Sequence, residues 1–87
     1  MKRDVVLIDK NGTEHTATLS FFIETAGISS WGAEGCVTSD DPRAVDPGAT
    51  YAVRLDDGST GTLLVTKRRF DRIVATGSGE PPVGLFA

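Results

Sequence analysis

Apolar and polar residues alternate along much of the chain with a period of two. The alternation is clearest in residues 13–25, where His15, Leu19 and Phe21 share one side, and in residues 51–55. Successive side chains of a β-strand point to opposite faces of a sheet, so this period indicates strands with one buried face. We therefore expect the apolar side of each segment to face a common core.

Glycine-containing turn signals separate these segments. Asn11-Gly12 follows an apolar run, and Asp57-Gly58 lies between two alternating segments. Such pairs tolerate positive φ and favour the tight turns of β-hairpins. The strands predicted in this way are residues 5–9, 13–25, 28–38, 51–55, 60–66 and 70–76. Residues 83–87 are a candidate for a further short strand.

Two features interrupt the regular pattern. Gly32 and Gly35 fall inside the third predicted strand, where glycine indicates a bulge or a sharp bend. Residues 39–49 form the longest predicted loop, with two prolines and three aspartates. A loop of this length is a candidate for a functional segment.

The pattern and the composition together predict an all-β fold. Val, Ile and Thr account for 22 of the 87 residues, and these residues favour the pleated surface of a sheet. We expect one domain, residues 1–87, folded as a small antiparallel barrel of five or six strands, comparable in size to SH3-like barrels. A two-sheet sandwich is the first alternative. A version with one short helix near residues 17–26 is the second, because apolar positions there also fit a helical stripe.

The charge balance bears on the class of partner. Nine Lys and Arg residues face twelve Asp and Glu residues, a net charge of −3. Proteins that bind nucleic acid usually carry a basic excess, so we expect no nucleic-acid partner. The N-terminal apolar run is too short for a signal peptide or a membrane helix, which leads us to expect a cytoplasmic protein that does not enter a membrane.

Few residue types suited to catalysis or metal binding are present. Cys36 is the single cysteine and His15 the single histidine, and their separation matches no zinc motif. We expect no metal and no cofactor, and interpret both residues as structural. The predicted function is therefore non-catalytic.

One cationic segment is a candidate binding site. Four of the nine positive charges lie within six positions. They are Lys67, Arg68, Arg69 and Arg72. Phe70 lies among them, and an aromatic ring among cations can grip a nucleic-acid base or another anionic ligand. The alternative interpretation is a solvated turn, or charges that protect a strand edge from aggregation.

Three apolar side chains extend the set of candidates. Trp31 is flanked by Ser30 and Gly32, so it is either a binding platform together with Phe70 or the largest piece of the core. Phe22 and Leu64 fall on the polar sides of their strands. If both are exposed and close together, they form an apolar patch suited to self-association.

These candidates lead to two functional hypotheses. The first is a protein-interaction or self-assembly module whose partner is another protein or, preferably, a second copy in a homodimer, because symmetric dimers are the commonest assemblies. The second is a small β-barrel that binds a small ligand or nucleic acid through an aromatic and arginine surface. That surface would consist of Trp31, Arg68, Arg69, Phe70 and Arg72.

Overall fold

Six antiparallel strands close into a barrel in the computed structural model of the protein, which describes residues 2–24 and 30–86. The strands are β1 (Lys2–Ile8), β2 (Glu14–Glu24), β3 (Ser30–Val37), β4 (Thr50–Leu55), β5 (Thr60–Arg69) and β6 (Arg72–Ser78). Their order around the barrel is β1-β2-β3-β6-β5-β4, and β4 pairs with β1 to complete the ring. The predicted all-β class and antiparallel barrel are confirmed.

The two glycine turns connect the hairpins as predicted. Gly12 and Gly58 have φ values of 83° and 87°, which an L side chain rarely adopts. In the first turn the Asp9 carboxylate accepts hydrogen bonds of 2.9 Å from the backbone N–H groups of Asn11 and Thr13. The local sequence therefore fixes where β1 ends and β2 begins.

The core consists of the inward-facing side chains of all six strands and one loop residue. The buried apolar residues are Val5, Leu7, Ala17, Leu19, Trp31, Ala33, Val37, Val45, Tyr51, Val53, Leu55, Leu63, Val65, Ile73 and Ala75. The alternation in the sequence is the cause, since every second residue of each strand reaches the barrel axis.

A different segment closes each end of the barrel. At one end the buried Pro82 lies beside Trp31, next to Gly61 of β5. At the other end Val45, from the long loop, is fully buried, and the Tyr51 hydroxyl accepts a hydrogen bond of 2.8 Å from the Asp46 N–H. The long loop thus serves at least as a structural plug.

Several sequence predictions about element boundaries were wrong. The strand predicted at residues 83–87 is a 3₁₀ helix at Val83–Phe86, because Pro81-Pro82 removes two N–H donors just before it. The helix alternative near residues 17–26 fails where the structure describes it, since β2 runs to Glu24. The first two residues of the third predicted strand, residues 28 and 29, lie outside the described residues.

The cationic segment also differs from its prediction. Lys67, Arg68 and Arg69 belong to β5, and the turn is Phe70-Asp71, with Arg69 directly opposite Arg72. The register shift lies in β5 between Val65 and Lys67, and the pairings of β3 with β2 and β6 show no bulge at Gly32 or Gly35. A short 3₁₀ helix at Pro42–Ala44 lies in the long loop. No helix in the part of the chain that the structure describes is long and apolar enough to cross a membrane.

Candidate functional site

Trp31 lies inside the barrel. Its side chain is 5% exposed, its indole N–H donates a 3.0 Å hydrogen bond to the Gly79 carbonyl, and its ring stacks on Phe21. The ring lies directly against Gly77, where no side chain competes for the space. Trp31 is therefore part of the core and offers no surface for a ligand to stack on.

Phe22 and Leu64 lie on one side of the barrel, at its outer surface. The strand register places them in a single row across four neighbouring strands: Phe22 pairs with Gly32, Gly32 with Thr76, and Thr76 with Leu64. Phe22 is 45% exposed and Leu64 37% exposed. The Phe22 ring leans over Gly32, since a Cβ added there would lie 2.7 Å from Phe22 Cζ. Only Gly32 and Thr76 separate the two apolar side chains.

A second row runs parallel to the first, nearer the cationic end. It places Glu34 of β3 opposite Val74 of β6, and Val74 opposite Lys67 of β5. Val74 is 38% exposed, and both charged residues are exposed. The central apolar side chain is therefore flanked by a negative charge on one side and a positive charge on the other.

A third row completes this surface. Cys36 of β3 pairs with Arg72 of β6, and Arg72 pairs with Arg69 of β5. We call the surface formed by the three rows on β3, β6 and β5, together with Phe22, the outer face. It changes from apolar at Phe22 and Leu64 to cationic at Arg69 and Arg72. The structure thus brings two of the candidate sets together, while Trp31 stays inside.

The cations of the β5–β6 hairpin differ from two other arginines in their partners. Arg3 forms an ion pair of 2.7 Å with Asp56, and Arg54 one of 3.2 Å with Glu14. Within the described residues, no ion pair involves Lys67, Arg68, Arg69 or Arg72. Arg68 donates from Nη1 to the Phe70 carbonyl at 3.1 Å, and its Nε has no partner there. The guanidinium groups of this hairpin retain free donors.

Phe70 occupies an unusual position at the hairpin tip. Its φ is 57°, the one positive φ of a residue other than glycine in the described chain, and its side chain is 79% exposed. A bulky residue in the left-handed region lowers the free energy of unfolding by about 1–2 kcal/mol. Burial of the Phe70 ring offsets little of this cost, because the ring is mostly exposed. The turn therefore holds an exposed aromatic ring at a cost in stability.

A groove lies beside the hairpin. It has a volume of about 660 Å³, and its lining includes the four cations of the hairpin. Pro47 and Val74 provide apolar surface in the same groove. β4 pairs with β5 only as far as Thr50 opposite Leu64, so residues 67–69 extend past the end of their neighbour. The groove is where this extension meets the long loop.

His15 forms a separate polar cluster at the same end of the barrel. Its Nε2 lies 3.3 Å from Asp9 Oδ2, and its ring meets Tyr51 edge to face. The backbone N–H of Thr13, followed by His15 and Asn11, lowers the pKa of Asp9 below its ordinary value. The ring of His15 is 6% exposed, so this contact ties β2 to the first hairpin turn.

Sequence reasoning missed the residues that organise the outer face. Val74 and Glu34 have no local signal in the sequence, because only strand pairing and register place them beside Lys67. In residues 2–24 and 30–86, no group of three or more His, Cys, Asp or Glu side chains is arranged to hold a metal ion. Comparisons with protein-family models, curated proteins and solved structures find no match to this chain.

Proposed function

We propose that the protein is a non-catalytic self-assembly module that forms a homodimer through its outer face. The observation that carries the proposal is the second row, where Glu34 and Lys67 lie on opposite sides of Val74. An interface between identical copies must be complementary to itself, with each residue meeting a different residue of the second copy. A row with opposite charges on either side of an apolar centre has this property.

A twofold axis parallel to β6 generates the interface. Such an axis keeps each row in place and exchanges its two sides, so Glu34 of one copy faces Lys67 of the other. In the first row the same operation sets Leu64 opposite Gly32, where it meets the Phe22 ring that leans over this glycine. Face-to-face sheets commonly pack with aligned strands about 10 Å apart, which suits this arrangement.

The size of the outer face indicates a weak dimer. Four strands about 4.8 Å apart make it about 15 Å wide, and three rows make it about as long. The resulting area of about 225 Å² per copy is well below the roughly 800 Å² per partner of a stable specific interface, so the dimer can only be transient. The axis also places Arg72 of one copy opposite Arg72 of the other. Repulsion between these two charges opposes close approach of the two copies at the cationic end. We therefore expect a monomer–dimer equilibrium that depends on protein concentration.

Exchanging the two charges tests the proposed register. Glu34→Lys and Lys67→Glu should each weaken the dimer about tenfold, because each change makes two symmetric attractive pairs repulsive. The double variant Glu34→Lys/Lys67→Glu should restore the dimer to near the wild-type dissociation constant. Sedimentation equilibrium measures all four proteins.

The net charges of these variants supply the control. Glu34→Lys makes the acidic chain less negative, and Lys67→Glu makes it more negative, while the double variant keeps −3. If only the net charge mattered, Glu34→Lys would form a tighter dimer than the wild type and Lys67→Glu a weaker one. Two weakened single variants and a restored double variant support the register. A double variant as weak as the singles would contradict it.

A further inference from the structure

The tip of the β5–β6 hairpin combines three features that oppose its own stability. Arg69 and Arg72 stand directly opposite each other, and like charges in that position repel. Phe70 between them has φ 57° and is 79% exposed. In natural proteins the residue at each position usually suits the local backbone and its neighbours. Positions where it does not are concentrated at functional sites. A bound anion that also contacts the ring would relieve the charge repulsion and the exposure together.

We infer that this hairpin binds a short acidic segment of another protein, with carboxylates at Arg69 and Arg72 and an apolar side chain against Phe70. Guanidinium groups bind carboxylates through paired hydrogen bonds, and these two have no ion-pair partner among the described residues. The inference goes beyond self-assembly and does not depend on it.

The groove beside the hairpin explains why the ligand should be a peptide and not a simple anion. Pro47 and Val74 give it an apolar portion next to the cations. An inorganic anion would leave that surface and the Phe70 ring uncovered. A peptide with alternating acidic and apolar residues satisfies both, because its side chains project in two directions from one backbone.

The charge distribution favours a short ligand over a nucleic acid. Residues 67–72 carry four cations and one aspartate, whereas the rest of the chain has five cations and eleven carboxylates. Charges interact strongly only within about 8 Å at physiological ionic strength. A short segment confined to the hairpin meets mainly the local excess of three positive charges. A long polyanion would also meet the acidic remainder.

Fluorescence anisotropy with a labelled peptide tests the inference. The probe is Asp-Leu-Glu-Phe-Asp-Leu-Glu-Phe, in which acidic and apolar residues alternate, and its control replaces each Glu by Gln and each Asp by Asn. The protein is the variant Phe22→Ser/Leu64→Ser, so that self-association does not compete for the outer face. We expect saturable binding of the acidic probe that weakens with added salt, and at least tenfold weaker binding of the amide control.

Variants of the hairpin locate the binding site. Arg69→Ser/Arg72→Ser should weaken binding at least tenfold, and Phe70→Asn about fivefold. Arg54→Ser is the matched control, because Arg54 is paired with Glu14 and lies on another part of the surface, so it should leave the affinity unchanged. Circular dichroism confirms that each variant retains the β-fold.

Four results would overturn the inference. They are the absence of saturable binding, equal binding of the amide control, an equal loss of affinity in Arg54→Ser, and tighter binding of a labelled oligothymidylate than of the acidic peptide. The last would identify the hairpin as a nucleic-acid site. Because every measurement uses the variant that lacks the apolar contacts, failure here leaves the dimer proposal untouched, and the reverse also holds.

Discussion

Three glycines, Gly61, Gly77 and Gly79, allow the Trp31 ring to lie inside the barrel. Trp31 occupies the interior because Gly77 and Gly61, which both face the axis, leave room for its indole. Its N–H is satisfied by the Gly79 carbonyl at 3.0 Å, so burial leaves no unpaired donor. Gly32, which follows Trp31 in the sequence, gave no indication of this, because the space comes from β5 and β6.

Substituting Gly77 tests this packing. Gly77→Ala would place a methyl group within the Trp31 ring, so we expect a loss of about 3 kcal/mol in the free energy of unfolding, or expulsion of the indole into solvent. Urea unfolding monitored by tryptophan fluorescence distinguishes the two outcomes. Ser78→Ala, on the outward-facing neighbour, should change stability by less than about 0.5 kcal/mol. Wild-type stability in Gly77→Ala would show that Trp31 is not packed against this position.

At the scale of elements, the β5–β6 hairpin is the part that departs most from local rules. β5 continues through Lys67, Arg68 and Arg69 beyond the end of β4, and its turn has Phe70 where Gly or Asn is usual. Protection of a strand edge explains why cations are tolerated there. It does not explain an exposed phenylalanine with positive φ.

Replacing Phe70 should therefore stabilise the protein. Asn adopts the left-handed region more easily than Phe, and little packing is lost with a ring that is 79% exposed. We expect Phe70→Asn to gain about 1 kcal/mol, which raises Tm by about 4–8 °C in a domain of this size. Phe70→Leu keeps the unfavourable backbone and should gain little. A destabilised Phe70→Asn, measured by differential scanning calorimetry, would mean that the ring contributes to the fold.

The sequence predicts elements well where a local signal exists. The alternation in residues 13–25 and the turns at Gly12 and Gly58 led to correct strands and hairpins, because side-chain period and positive φ are local properties. The turn at Phe70-Asp71 carries no glycine, so its position was missed. Val83 and Leu85 resemble a strand, yet they follow two prolines and lie in a 3₁₀ helix, where Leu85 packs against the core and Val83 is exposed.

The candidate site was predictable only in part. Phe22, Leu64 and the cations stood out individually, because each breaks the pattern of its own strand. Their common surface depends on which strands are neighbours, and the order β3-β6-β5 cannot be derived from one chain without its pairings. The row of Glu34, Val74 and Lys67 has no local signature at all.

At the scale of the whole molecule, closure of the barrel determines how the protein can associate. The six strands close into a ring, so free sheet edges are confined to strand ends that extend past a neighbour, such as residues 67–69 of β5 and residues 21–24 of β2. Most of the surface available for association therefore consists of outward-facing side chains. The outer face is suited to such contacts, because it has an apolar end, a middle row with one charge of each sign, and a cationic end.

The absolute mass in solution tests self-assembly most directly. We expect static light scattering after size exclusion to show an average mass that rises with protein concentration from the chain mass of 9.2 kDa towards twice that value. The variant Phe22→Ser/Leu64→Ser should remain near the chain mass under the same conditions. A wild-type mass that stays at 9.2 kDa up to about 1 mM, a concentration that populates even weak complexes, would contradict the account.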